Sequence, residues 1–108
     1  MTAGQGRAPA HLEPSTRKWF RQVVEEYDLG PHHVRLLTLA CEAWDRAQQA
    51  RELLAKSGPV INDRFDQPRA HPAVAIERDT RIAFARLVRE LDLDGDPLPD
   101  PRLPRRAG

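Results

Sequence analysis

The sequence predicts an all-α fold, in which a small helical domain is built around a long central helix hairpin. Three runs carry apolar residues at helical spacing, and each run begins at or beside a proline. A polar stretch with turn residues separates the second run from the third, which predicts a short β-hairpin or an ordered elbow there. Both ends of the chain are rich in small, polar or proline residues, so we expect flexible ends.

The length of 108 residues suits a single domain. We expect residues 1–10 to form a disordered N-terminal arm and residues 11–94 to form the helical domain. Residues 95–108 are expected to form a flexible tail, because proline recurs along them and arginines cluster near their end.

The first helix is expected to begin near Pro14 and to end before Gly30 and Pro31. Its charges run against its own macrodipole, because basic residues lie at its N-terminal end and acidic residues at its C-terminal end. Each such charge costs only about a few tenths of a kcal/mol if it is exposed. This charge arrangement is therefore either tolerated at small cost, or it is kept because the basic end of the helix binds an anion. The predicted apolar face consists of Trp19, Phe20, Val23, Val24 and Tyr27.

The second helix is predicted from Pro31 to Ser57, because Gly58 is suited to the position after a helix end and Pro59 bars continuation. A helix of this size is about 40 Å long, which is long for such a small domain. Its apolar residues occupy more than one face, and one line is rich in alanine, which lets another helix approach closely. We expect burial against helices of the same or a neighbouring subunit at Leu37, Ala40, Trp44, Ala47 and Leu54.

The stretch GPVINDRFDQPRAHPA connects the second helix to the third and is interpreted as a structural elbow. Val60 and Ile61 suit a very short strand, and the polar residues after them favour turns. His71 is expected to cap the third helix or to hold the hairpin, rather than to catalyse a reaction. The third helix should start at Pro72 and run to about Leu93. The elbow is thus defined by Gly58, His71 and Pro72.

Catalytic and metal-binding patterns do not emerge from the sequence. The single cysteine, Cys41, lies among apolar neighbours and is expected to be a buried, inert thiol. The four histidines have no metal-ligand spacing, and no glycine-rich phosphate loop follows a strand. We therefore expect no metal, no cofactor and no enzymatic activity. No apolar run approaches the roughly 18 residues that span a membrane, and the N-terminus lacks a signal-peptide core, so we expect a protein of the cytoplasm.

Local charge is more informative than the overall net charge of +1. Over residues 1–24, four basic residues oppose only Glu13, which gives a local net charge of +3. A cluster of this size binds phosphate weakly in one copy but strongly when many copies display it together. The alternative is an ordinary solvated helix start. The candidate DNA-contacting residues are Arg7, Arg17, Lys18 and Arg21.

Three segments resemble a compact family of phage terminase small subunits: APAHLEPSTRKWFRQVVEEYDL, LLTLACEAWDRAQQARELLAKSGPVI and RAHPAVAIERDTRIAFARLVRELDL. The resemblance covers roughly residues 8–93. It depends on the ordered combination of Trp19, the long helix to Gly58, and the His71-Pro72-Ala73 segment. The tail, LDLDGDPLPDPRLPRRAG, departs from the Gly-Leu-Thr-Pro type of ending that many members share.

The resemblance implies a non-enzymatic protein that assembles into a ring, a homo-oligomer acting in the cytoplasm of a bacterial host. Such proteins recognise double-stranded viral DNA at the packaging start site and deliver it to the large terminase subunit. The large subunit carries the ATPase and nuclease, and the small subunit regulates both. Two alternatives remain open from the residues. One is a helix-turn-helix transcriptional regulator, suggested by the YDLGPHH break, and the other is an adaptor module that docks through its proline-rich tail.

Overall fold

The computed structural model describes residues 7–93, which form three α-helices and a small two-stranded sheet. The helices are α1 (Pro14–Glu26), α2 (Pro31–Ser57) and α3 (Pro72–Leu91), and the strands are β1 (Val60–Asn62) and β2 (Pro68–Ala70). The helices hold 69% of the described residues and each strand has three residues, so the predicted all-α class is confirmed. Residues 1–6 of the predicted arm and all of the predicted tail lie outside the described residues.

Proline begins each of the three helices, as the sequence predicts. Its missing N–H costs nothing in the first turn, and its fixed φ suits the helix. At 27 residues, α2 is about 40 Å long. Its C-terminal half runs antiparallel to α3, since Trp44 lies beside Phe84 while Arg51 lies near Glu77. The central helix hairpin is therefore present as predicted.

The core lies at one end of this hairpin, where α1 covers the N-terminal half of α2 and the C-terminal end of α3. Its buried members are Leu12, Phe20, Val23, Leu37, Cys41 and Leu91. The α2 helix packs along α3, and its small residues Ala40, Ala47 and Ala50 are all buried. Small side chains allow close approach of the two helices there. Since α1 covers only one end, the far half of the hairpin keeps much of its apolar surface exposed.

Two helices end slightly earlier than the sequence indicates. The sequence predicts that α1 reaches Leu29, but Tyr27 already has an extended backbone, with φ −126° and ψ 142°. The Tyr27 hydroxyl donates a hydrogen bond to the Leu93 carbonyl oxygen, at 2.8 Å, which ties the end of α1 to the residues after α3. The α3 helix ends at Leu91 because Asp92 adopts a left-handed conformation with φ 55°. The end of α1 thus coincides with a long-range hydrogen bond rather than with a helix-ending residue in the local sequence.

The elbow is an antiparallel hairpin in which Val60 pairs with Ala70 and Asn62 pairs with Pro68. Gly58 leads into it with φ 77° and ψ 165°, a conformation that is essentially restricted to glycine. His71 closes it: its backbone N–H donates to the Pro59 carbonyl oxygen at 2.8 Å. Its ring Nδ1 also accepts a hydrogen bond from the backbone N–H of Ala73 at 3.0 Å, so the His71 side chain caps α3.

Candidate functional site

The basic residues of α1 lie together on its outward face. Lys18 and Arg21 are exposed, and Arg17 is half-buried. Residues three and four apart are neighbours on a helix surface, so Arg17 and Lys18 both adjoin Arg21. The opposite face of α1 holds its buried residues, which are Thr16, Phe20 and Val23. We refer to Arg17, Lys18 and Arg21 as the basic face.

No carboxylate among residues 7–93 neutralises this basic face. None of its three side chains takes part in an ion pair there, and the first turn of α1 contains no acidic residue. Arg7 is also exposed and lacks an ion pair within the same residues, but it lies in the segment before α1. The structure therefore brings Arg17, Lys18 and Arg21 together, whereas Arg7 stands apart from them in the chain.

A buried carboxylate fixes the start of α1 against α2. Asp45 is only 7% exposed, and its Oδ2 accepts a hydrogen bond from the backbone N–H of Glu13 at 2.8 Å. Its Oδ1 accepts a second bond from the Thr16 hydroxyl at 2.5 Å. Glu13 supplies no side-chain cap of its own, so Asp45 partly replaces a local cap. The basic face is thereby presented by a helix whose start is anchored in the core.

A second, exposed pair lies beside this anchor. His11 Nε2 and Glu42 Oε2 are 2.7 Å apart, and both side chains are well exposed to solvent. Exposed pairs of this kind contribute about 1 kcal/mol at most. The buried Asp45 therefore carries more of the attachment of α1 to α2 than the pair formed by His11 and Glu42.

The five predicted packing residues occupy three different environments. Leu37, Ala40 and Ala47 are buried. Leu54 is half-buried, and Trp44 keeps 42% of its surface exposed. The Trp44 ring packs on Phe84 of α3, with 5.1 Å between ring centroids, and Trp19 of α1 packs on the same phenyl ring at 6.1 Å. Trp44 is therefore part of an aromatic cluster that joins all three helices at the protein surface.

A cavity of about 310 Å³ opens beside this cluster, between α2 and α3. We refer to its apolar lining residues, Trp44, Ala47 and Phe84, as the floor. We refer to its polar and charged lining residues as the rim, namely Gln48, Arg51, Glu77 and Arg81. The combination of an apolar floor and charged rim suits a side chain or small group with both characters, and it offers no nucleophile.

The Cys41 thiol is buried, and the His71 ring is already engaged in a hydrogen bond. Burial raises the pKa of the Cys41 thiol to about 12, and the nearby charges of Asp45 and Glu42 act in the same direction. The thiol therefore stays protonated and unreactive at neutral pH. Among residues 7–93, no group of three or more His, Cys, Asp or Glu side chains could hold a metal ion. The elbow histidine, His71, is engaged in capping α3, beside Pro72.

Three features of the structure were not predicted from the sequence. Asp45 follows Cys41 by four residues, and this helical spacing is a signal that places a carboxylate on the core side of α2. Phe65 is an aromatic residue within a polar turn, and it is 67% exposed. The cavity depends on Arg51 and Arg81, which lie 30 residues apart in the sequence, so no local pattern joins them.

Comparison with known proteins gives one match. A family model described as phage terminase, small subunit, matches residues 16–96. No curated protein and no solved structure matches the chain. The matched range contains all three helices except the first two residues of α1, together with the β-hairpin. It also contains the basic face and the cavity. Within residues 7–93, no helix has the length and apolar character needed to cross a membrane.

Proposed function

The chain belongs to the phage terminase small-subunit family, which acts in phage DNA packaging, and we propose that it is the DNA-recognising subunit of a packaging machine. In this proposal, it binds double-stranded viral DNA at the packaging start site as a ring-shaped homo-oligomer. It recruits the large terminase subunit and regulates its ATPase and nuclease in the cytoplasm of the bacterial host. It performs no chemical step itself.

The observation that carries the DNA-binding part is the basic face of α1. Arg17, Lys18 and Arg21 lie on one side of a helix anchored by Asp45, and no carboxylate of the described residues pairs with them. Contacts between such side chains and phosphates provide affinity through counterion release. Arg7, in the segment before α1, is a further candidate for phosphate binding.

The assembly part is supported by the shape of the helix hairpin. The core occupies one end, and the far half leaves large apolar side chains exposed, including Leu53 and Ile76. These side chains are available for contact with another copy of the chain. A ring also explains how a cluster of only three charges per copy reaches useful affinity, since many copies present their basic faces to one DNA duplex.

We predict that reversing two charges of the basic face weakens DNA binding. The variant Lys18→Glu/Arg21→Glu should bind duplex DNA about tenfold or more weakly, because attraction to phosphate is replaced by repulsion. The slope of log affinity against log salt should fall by about 0.9 for each phosphate that the protein no longer neutralises. Fluorescence anisotropy of a labelled duplex, titrated at several salt concentrations, measures both quantities.

The matched control reverses two exposed charges elsewhere. Arg35→Glu/Arg46→Glu changes the net charge by the same amount on the outward side of α2. Its affinity and salt slope should stay close to those of the parent protein. An equal decrease in both variants would show that only the net charge matters, and an unchanged Lys18→Glu/Arg21→Glu variant would remove the basic face from the DNA interface.

A further inference from the structure

The tip of the β-hairpin carries an unusual exposed aromatic residue. Phe65 is 67% exposed, the largest exposure of any big apolar side chain among the described residues. It does not occupy the cavity of its own chain, which is lined by residues of α2 and α3. An exposed phenyl ring at the tip of a turn is available to pack against the aromatic side chains of a partner.

The turn that presents Phe65 is held by its own hydrogen bonds. Asp63 Oδ1 accepts from the backbone N–H groups of Phe65, at 2.8 Å, and Gln67, at 3.0 Å. Asp66 adopts a left-handed conformation with φ 58°, and its Oδ1 accepts a bond from the Asn62 side chain at 3.1 Å. The conformation of the tip is thus set before any partner binds, which lowers the entropy cost of docking.

The cavity between α2 and α3 fits a phenyl ring in size. Its volume is about 310 Å³, whereas an engineered cavity of about 150 Å³ already accommodates benzene. Trp44 and Phe84 lie in its floor, where a third aromatic ring can pack edge-to-face. The remaining volume leaves room for the residues beside the ring.

The charges beside Phe65 also complement those at the cavity. Arg64 and Asp66 flank Phe65, and the Arg64 guanidinium lies 4.9 Å from the centre of the Phe65 ring. The cavity rim offers one carboxylate, Glu77, and two guanidinium groups, those of Arg51 and Arg81. None of these three rim side chains is in an ion pair within residues 7–93. Each flanking charge therefore has an opposite charge available at the rim.

We propose that Phe65 of one copy docks into the cavity between α2 and α3 of the next copy. Asp66 then faces Arg51 and Arg81, and Arg64 faces Glu77. Two different surfaces meet in this interface, so each copy can both give and receive a Phe65, and such head-to-tail interfaces can close into rings. This inference rests on the proposed ring assembly and identifies the residues that would form the interface between copies.

Removal of the phenyl ring tests the interface in the full-length chain. Phe65→Ala should raise the protein concentration at half-assembly by about 30-fold, an effect typical of a hot-spot residue. Ile82→Ala is the control, because Ile82 is 46% exposed on α3 and does not line the cavity. Its assembly should match the parent protein. Sedimentation velocity over a dilution series measures half-assembly, and circular dichroism checks that each variant is folded.

A charge swap tests the register of the interface. Arg64→Glu and Glu77→Arg should each weaken assembly, since each places like charges together, and the double variant should recover part of the assembly. Assembly of Phe65→Ala at the parent concentration would overturn the docking proposal, as would a double variant no better than the two single ones. A monomeric parent protein would overturn both docking and the ring.

DNA affinity, measured on the same samples, separates the two proposals. If Phe65→Ala assembles normally and the parent binds DNA through its basic face, the docking interface is wrong and the proposed function stands. If assembly depends on Phe65 but the basic face is irrelevant to DNA binding, the docking interface stands and the DNA-binding proposal is wrong.

Discussion

At the scale of single residues, Asp45 is the charged side chain whose position the fold constrains most. It is the one buried charged residue among residues 7–93. A buried carboxylate is tolerated only where donors compensate for its missing hydration, and the Glu13 N–H and Thr16 hydroxyl supply that compensation. The same two bonds fix the start of α1. Asp45 thus connects a structural requirement of the core to the presentation of the basic face.

We predict that Asp45→Ala destabilises the protein by about 3 kcal/mol, because two hydrogen bonds to a charged acceptor disappear and the Glu13 N–H is left without its partner. Urea unfolding followed by circular dichroism gives the free energy of unfolding. Glu42→Ala, three residues earlier on α2, is the control, since the exposed pair with His11 should contribute at most about 1 kcal/mol. Equal destabilisation in the two variants would refute the anchoring role of Asp45.

The residue scale is also where the sequence is least informative. The bond between Thr16 and Asp45 joins residues 29 positions apart, so it depends on how α1 packs on α2. Helical spacing predicts that Trp44 packs against neighbouring helices, and it does contact Phe84. Although Trp44 belongs to the same aromatic cluster as Trp19 of α1, 42% of the Trp44 surface remains exposed. The periodicity of apolar residues indicates which side of a helix is apolar. It does not indicate how much of that side other helices cover.

At the scale of elements, the elbow between α2 and α3 depends on one glycine. Gly58 ends α2, and its N–H donates to the Leu54 carbonyl oxygen at 2.7 Å. A Cβ at this position would meet nothing within 4 Å, so a larger residue is not excluded by crowding. Its φ of 77° with ψ of 165° is nevertheless a conformation that other residues adopt only under strain. The backbone, rather than side-chain packing, selects glycine here.

We predict that Gly58→Ala destabilises the protein by about 1–3 kcal/mol through backbone strain alone. Ser57→Ala, one residue earlier and exposed at the end of α2, should change stability by only about 0.5 kcal/mol. Thermal and urea unfolding of both variants measure the difference. A Gly58→Ala variant as stable as the Ser57→Ala variant would show that the elbow relaxes freely and does not fix the hairpin.

The elements themselves are largely predictable, because their signals are local. Proline at each helix start and Gly58 at the end of α2 determine boundaries through the backbone of a few residues. The short first strand follows from Val60 and Ile61 beside turn residues. The end of α1 is less predictable, because the hydrogen bond from Tyr27 to Leu93 spans 66 positions. The candidate DNA-binding residues on α1 can be identified from their charge and spacing in the sequence. The cavity cannot be predicted in this way, because it forms only when α2 and α3 pack together.

At the scale of the whole molecule, the fold separates two surfaces. The basic face lies on α1, whose start is anchored in the core, and the cavity lies along the α2–α3 pair. The Phe65 tip projects from the elbow that joins that pair. The chain belongs to the phage terminase small-subunit family. In the proposed assembly, the basic face is free to meet DNA while the cavity and the Phe65 tip meet neighbouring copies.

The native mass of the full chain tests this account most directly. Each copy has a mass of 12.3 kDa, so the number of subunits follows from native mass spectrometry without a shape assumption. A ring built by head-to-tail interfaces predicts one closed species with a fixed number of copies greater than two. This species should persist when the protein is diluted to the concentrations used for the measurement. A monomer, a dimer or a ladder of unbounded sizes would contradict the ring and remove the avidity on which the DNA-binding proposal depends.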